Sequence, residues 1–296
     1  MTSSPSGPVA ISVGSDGDST IGAIMGTRGE HLAVTEGVLR HGMPYLAFGS
    51  GRPLVFLRWF TPDHANPTGW MRSSELKKLT GLARHYRVYA VGRAPGTPAG
   101  TTMADIAAEH ADALRAEFGV PVDVLGVSSG GSIALQLAAD HPEVVRKLVV
   151  VSAACRLDPA TRIGQRRYAE AVLAGERGLH HMAVVTVANP VGARLVGAAM
   201  WLLDPLMRPK VPADPHHFLL AEDGFDVTDR LDEITVPTLV IGGERDASYS
   251  ADTFRRTADG IPDGRLILYP RTGHMATVTH PDFVDDVVRF LHDTPA

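Results

Sequence analysis

Between Pro53 and Ser152 the chain alternates short, continuous apolar runs with longer amphipathic ones. Pro53-Leu-Val-Phe-Leu-Arg58, Arg87-Val-Tyr-Ala-Val91, Val122-Asp-Val-Leu-Gly-Val127 and Lys147-Leu-Val-Val-Val-Ser152 have the length and composition of strands covered on both faces. The stretches between them carry helical periodicity. Leu76, Leu79 and Leu82 share one face of a helix from Ser73 or Ser74 to about His85. Ile106, Ala113, Leu114 and Phe118 share one face of a second helix, capped by Thr102 and ended by Gly119 and Pro121. A third follows Ser128 and stops near Pro142. This alternation predicts right-handed crossovers and a mostly parallel central sheet with helices on both faces, an α/β fold. Ligands in such sheets bind beyond the C-terminal ends of the strands.

On the N-terminal side, Leu32–Leu39 and Met43–Phe48 read as two short strands in a meander. After residue 156 the rhythm stops. Gln165 to about Met182, Ala188 to about Leu206 and Pro215 to Ala221 read as helices separated by proline, with no clear buried strand among them. The alternation resumes with a strand at Thr238–Gly242, a helix from Ala251 to about Asp259 and a strand at Arg265–Tyr269. A last helix starts near Pro281 and turns Phe283, Val287, Val288 and Leu291 inward. The expected organisation is a flexible N-terminal segment (1–30), an α/β core (31–155 and 233–296) and a helical cap inserted at 156–232. Met182, Met200, Trp201, Leu202, Leu203, Met207 and Phe218 of that insertion suggest an apolar roof over the strand ends, with packing onto the core as the other use for them.

Chemistry enters at the junction of the third strand and third helix. Gly126-Val-Ser-Ser-Gly130 is a G-x-S-x-G sequence placed where a strand must turn sharply into a helix. Such a turn strains its middle residue and needs very small neighbours two positions either side. It would lift the Ser128 hydroxyl above the sheet, at a helix N-terminus whose free N–H groups can stabilise a developing oxyanion. A serine hydroxyl also needs a base, and the base an orienting carboxylate. The strand 238–242 runs into Gly243-Glu-Arg-Asp246, and the strand 265–269 into Pro270-Arg-Thr-Gly-His274. These offer Asp246 and His274, with Glu244 and Asp158 as rival acids.

The nucleophile-elbow sequence, Gly243 to Asp246 and the Gly273-His274 dipeptide together resemble the α/β-hydrolase superfamily over about Leu32 to Leu291. The resemblance implies an α/β-hydrolase fold, a Ser128–His274–Asp246 triad, and an oxyanion hole from the backbone N–H groups of Ser129 and of Phe60 or its neighbour. It implies a serine hydrolase acting on an ester, lactone or thioester. Relatives also include C–C hydrolases, lyases, cyclases and ligand-binding proteins that share the scaffold. Two departures stand out. Where many relatives carry His-Gly, this chain has Arg58-Trp59, and the loop Gly92-Arg-Ala-Pro-Gly96 keeps the family's arginine but lacks its acid. Arg58, Trp59, Trp201 and Met275 are therefore pocket candidates, with a structural ion pair as the other reading of Arg58. Asp63 and His64 stand at the site mouth or in a solvated loop.

Composition changes this picture little. The chain has 296 residues, 44% hydrophobic and 21% charged, with a net charge of −5. That balance speaks against nucleic acid or a membrane surface as partner and leaves a small-molecule substrate. One cysteine, Cys155, excludes an intrachain disulfide and fits a cytoplasmic, reducing setting. It reads as a small buried hydrophobe. The first 21 residues lack the basic and apolar regions of a signal peptide. No metal or organic cofactor is implied; the pairs His180-His181 and His216-His217 lack further ligands at suitable spacing. Oligomeric state is not legible in the sequence.

Overall fold

The computed structural model describes residues 22–25, 31–187 and 189–293. Its frame is a nine-stranded sheet: β1 (Gly22–Met25), β2 (His31–Val38), β3 (Pro44–Gly49), β4 (Pro53–Leu57), β5 (Arg87–Val91), β6 (Val122–Val127), β7 (Val145–Val151), β8 (Thr238–Gly243) and β9 (Gly264–Tyr269). The strand order is β1-β2-β3-β5-β4-β6-β7-β8-β9. β1, β2 and β3 run antiparallel to their neighbours, and every pairing from β5 to β9 is parallel. Of the segment expected to be flexible, 1–21 and 26–30 lie outside the described residues. Gly22–Met25 differ from that expectation, because their backbone pairs with β2 from Gly22 opposite Val34 to Met25 opposite His31.

The helices are α1 (Gly69–Ala83), α2 (Met103–Phe118), α3 (Ser129–Asp140), α4 (Pro159–Leu173), α5 (Ala183–Thr186), α6 (Pro190–Leu203), α7 (Ala213–Asp223), α8 (Ala251–Gly260) and α9 (Phe283–His292). The two faces of each central strand go to different layers, as the period of two requires. Val55 and Leu57 of β4, Val124 of β6 and Val150 of β7 pack with α2, α3 and α8. Leu54 and Phe56, Leu125 and Val127, and Val149 and Val151 pack with α1 and α9. Both layers are dry, which is why the strands read as unbroken apolar runs.

Several element boundaries differ from the sequence expectation by a few residues. α1 starts at Gly69, four residues before Ser73; Ser73 lies inside it and donates its hydroxyl to the Gly69 carbonyl at 3.2 Å. The helix expected over 165–182 begins at Pro159, a residue suited to a first turn, and breaks at Gly175, where φ is +73°. A separate 3₁₀ turn, Leu179–Met182, follows, and Asp204 holds its start by accepting from the Gly178 and Leu179 N–H groups at 2.8 Å each. The last helix starts at Phe283 rather than Pro281. Residues 156–232 are mainly helical, and α4 and α7 join the core layer that contains α3.

Candidate active site

The turn between β6 and α3 places Ser128 at φ +54° and ψ −123°, a conformation that costs an ordinary side chain of order 1–3 kcal/mol. The glycines either side make it possible. A Cβ on Gly126 would sit 2.2 Å from the Gly130 carbonyl oxygen, and one on Gly130 would sit 2.1 Å from that of Leu57. Larger residues would push the turn away from β4. The strain is held by backbone bonds: Ser128 N–H donates to Val151 O at 2.9 Å, and Ser128 O accepts from Gly131 and Ser132.

His274 follows β9 and opens a 3₁₀ turn, and Asp246 follows β8. His274 Nε2 lies 3.0 Å from Ser128 Oγ. His274 Nδ1 lies 2.9 Å from Asp246 Oδ2 and 3.0 Å from Oδ1. A carboxylate only accepts, so Nδ1 carries the proton and Nε2 is left to accept from the serine. The His274 and Asp246 side chains are 3% and 0% exposed, while Ser128 stays partly open to solvent. Asp246 is fixed from behind, since Oδ1 accepts from the Ser248 N–H at 2.7 Å and the Tyr249 N–H at 3.2 Å. The Tyr249 ring stacks beside the imidazole at 6.2 Å, and Ser152 Oγ donates to the His274 carbonyl at 3.0 Å. The rival acids are engaged elsewhere. Glu244 accepts from the exposed Arg271 N–H, and Asp158 accepts from Ser250 and Thr253 at the start of α8.

The loop after β4 carries the other candidates. Phe60 lies between Tyr168 of α4 (ring centroids 5.8 Å, near perpendicular) and Phe218 of α7 (6.0 Å, stacked). Among the described residues, neither the Phe60 nor the Ser129 backbone N–H is taken by a hydrogen bond. Arg93 grips this loop. It donates to the carbonyls of Thr61 at 2.8 Å and Pro62 at 3.2 Å, pairs with Asp214 at 3.3 Å, and lies over the Phe60 and Phe218 rings. Burial pulls the Arg93 guanidinium below its ordinary range and Asp214 draws it back up. Asp214 also accepts from the Thr97 N–H and lies 3.4 Å from His64 Nδ1, so His64 belongs to this prop. Asp63 accepts from the Lys210 N–H.

Of the four pocket candidates, Arg58 and Trp59 line a small cavity beside Phe60 and are also tied into the core, whereas Trp201 faces outward. Arg58 forms a fork with Glu75 of α1 through Nε (2.9 Å) and Nη2 (3.0 Å), and donates Nη1 to Asn66 at 3.0 Å. With side chains only 4% and 2% exposed, this pair is buried and ties the loop after β4 to α1. Trp59 packs edge-on against Phe56, with Lys78 over its ring, and lines a small cavity with Phe60, Arg93, His110 and Phe218. Trp201 stands 45% exposed under the Arg177 guanidinium, which sits 3.9 Å from its ring. With Leu202 and Leu203 it faces outward, whereas Phe218 is buried against the core. Met275 is about half exposed beside His274. Removing one partner of a buried ion pair strands the other charge. Glu75→Ala is therefore expected to cost about 3–5 kcal/mol, read as a lowered urea midpoint at unchanged slope.

The family model of the alpha/beta hydrolase family matches residues 38–287. The chain belongs to that family. Among curated relatives, a Variovorax paradoxus protein named "Putative carbamate hydrolase RutD" is 32% identical over 212 residues, 66% of this chain and 74% of that protein. A pimeloyl-[acyl-carrier protein] methyl ester esterase of Neisseria meningitidis serogroup C is 27% identical over 181 residues, 58% of this chain and 70% of that protein. An α/β hydrolase from a Medee basin deep-sea metagenome has the same fold, with a TM-score of 0.68 at 18% identity over 86% of this chain and 95% of that one. Among the described residues no helix is long and apolar enough to cross a membrane, and no group of three or more His, Cys, Asp or Glu side chains could hold a metal ion.

Sequence reasoning missed the residues that come from far away in the chain. Glu75, Asn66, Asp214, Ser152 and Tyr249 carry no local signal, and neither does Glu222. Glu222 is fully buried at the end of α7. Its Oε2 accepts from Ser129 Oγ at 2.9 Å and Gln165 Nε2 at 3.2 Å, and its Oε1 from Ser132 Oγ at 3.1 Å. Burial pushes its pKa up, and the three donors offset only part of that. The unfolded chain loses this proton near the ordinary glutamate value of about 4.3, and the folded protein keeps it to higher pH. The unfolded state then binds fewer protons, so stability falls as pH rises from that value through the folded pKa. Relative to Glu222→Gln, the wild type is expected to lose stability as pH rises above about 4.3, measured by urea unfolding of both at each pH.

Proposed function

We propose that the protein is a serine hydrolase that cleaves an ester, lactone or thioester of a small apolar substrate through an acyl-enzyme on Ser128. The observation that carries this reading is the unbroken chain Asp246–His274–Ser128, with hydrogen-bond separations of 2.9 and 3.0 Å. In the proposed cycle Ser128 Oγ attacks the carbonyl carbon while His274 Nε2 takes its proton. The tetrahedral oxyanion is held by the N–H groups of Ser129 and Phe60, both without a hydrogen-bond partner among the described residues. His274 returns the proton to the leaving group, and water then repeats the sequence on the acyl-enzyme. Asp246 keeps the imidazole in the tautomer the cycle needs and stabilises its charged form. The relatives' names support attack at a carbonyl, since a carbamate and a methyl ester both present one. In this reading residues 156–232 form a cap, and Phe218, Tyr168 and Phe60 supply apolar walls.

The test pairs a generic assay with a covalent probe. Hydrolysis of p-nitrophenyl acetate and butyrate is expected, and a fluorophosphonate should label the peptide containing Ser128 and no other. Labelling elsewhere, or no labelling at all, would remove Ser128 as nucleophile.

A further inference from the structure

We infer that Glu222 is a positioning residue for the oxyanion turn: by gripping the Ser129 side chain it fixes the peptide whose N–H receives the negative charge. The inference rests on the reading of Ser128 as nucleophile and deepens it. Ser129 is the residue after the nucleophile, and its Oγ and its backbone N are joined through only Cβ and Cα. A bond of 2.9 Å from that Oγ to an immobile acceptor therefore restricts both its rotamer and the tilt of the 128–129 peptide. The acceptor is immobile because it is anchored three ways. Glu222 is carried by α7, Ser129 and Ser132 belong to α3, and Gln165 belongs to α4. All three donors converge on one carboxyl with no solvent exposure.

Packing alone does not account for a carboxyl here. An apolar side chain of similar size would fill the same space without desolvating a polar group, and such replacements are often neutral or stabilising. What an apolar residue could not do is hold two hydroxyls of the first turn of α3 in register. Nor does the contact merely close the helix start, because Ser132 Oγ could serve its own helix without reaching α7. The arrangement makes placement of the inserted helices a condition for an aligned oxyanion donor. Seating α7 and α4 on the core brings Glu222 and Gln165 in together, and Ser129 is then held.

The experiment compares Glu222→Ala, Glu222→Gln, Ser129→Ala and Glu222→Ala/Ser129→Ala, with kcat and KM measured separately for p-nitrophenyl butyrate. Loss of alignment acts on the transition state, so Glu222→Ala should lower kcat on the order of 10–100-fold with KM little changed. Glutamine keeps the shape, and the serine hydroxyls can rotate to accept from its amide, so Glu222→Gln should recover most of that loss. Ser129→Ala should resemble Glu222→Ala. Adding Glu222→Ala to Ser129→Ala should lower kcat no further, because the two changes act through one bond. Far-UV circular dichroism checks folding, and should Glu222→Ala not fold, Ser129→Ala carries the test. The proposal is overturned if Glu222→Ala or Ser129→Ala keeps kcat within twofold of wild type, if the loss falls on KM instead, or if the two sites act additively. The fluorophosphonate separates this failure from that of the nucleophile reading. Wild type that does not label at Ser128 removes the nucleophile, whereas wild type that labels, together with variants matching its kcat, removes Glu222 alone.

Discussion

Ser128→Ala and His274→Ala are each expected to lower turnover of a p-nitrophenyl ester by on the order of 10³ or more, and the double variant by no more than either. The reason lies in the single path of protons. Among the described residues Ser128 Oγ has one hydrogen-bond partner, His274 Nε2 at 3.0 Å, and that nitrogen is free to accept because Nδ1 is committed to Asp246. Without the imidazole the hydroxyl is an alcohol of ordinary basicity. Without the hydroxyl the imidazole has nothing to activate but water, at a distance set for a serine. Residual activity should come from whatever the Ser129 and Phe60 N–H groups still do for a bound ester. The measurement is kcat under saturating substrate, with intact-mass analysis to detect an acyl-enzyme in wild type only. Full additivity, or a Ser128→Ala variant within tenfold of wild type, would mean that the chemistry is done elsewhere.

How much of this site can be read from sequence depends on how local each signal is. The Ser128 turn is local. Two glycines at fixed spacing, a strand before and a helix after are all within about twenty residues, and the contacts a Cβ would make on Gly126 and Gly130 show why those two positions admit nothing larger. Asp246 and His274 were legible because each directly follows an apolar strand, and strand ends on one edge of a parallel sheet come together whatever their separation in the chain. Arg58 shows the limit. Its identity was plain, but its use as a prop depended on Glu75 and Asn66, which reach it only after α1 folds back against β4. Arg93 likewise gains its role from Asp214 on α7, more than a hundred residues away. The inserted helices were the least legible part. Their apolar residues do not separate a roof from an outer face: Phe218 is buried while Trp201, Leu202 and Leu203 are exposed, and the sequence pattern gives all four the same weight.

Asp246→Asn should be nearly as damaging as losing the base, lowering kcat by on the order of 10³–10⁴ while leaving the fold intact. The hydrogen bonds behind the carboxylate dictate how the amide must sit. Oδ1 accepts from the Ser248 and Tyr249 N–H groups, so the asparagine oxygen has to take that place. Turning the amide round would aim its own N–H bonds at two donors inside a buried site. The NH2 group then occupies the Oδ2 position, 2.9 Å from His274 Nδ1, and presents a donor where the imidazole had an acceptor. Nδ1 then faces a donor at 2.9 Å, and the only oxygen left to it, 3.0 Å away, is already shared by two N–H groups, which favours the tautomer with its proton on Nε2, where Ser128 faces an N–H that cannot take its proton. Two control variants separate this from a general effect of losing negative charge. Glu244→Gln removes a carboxylate from the same turn and should leave kcat within about twofold, because its partner is the exposed Arg271 N–H. Asp158→Asn weakens the start of α8, costing up to about 1 kcal/mol of stability, and should likewise spare turnover. Crystals of Asp246→Asn should show the Ser128–His274 contact kept in place, and 15N NMR of the imidazole should show the proton on Nε2. A variant that keeps a tenth or more of wild-type kcat, or an equal loss in Glu244→Gln, would show that the imidazole is oriented by something other than Asp246.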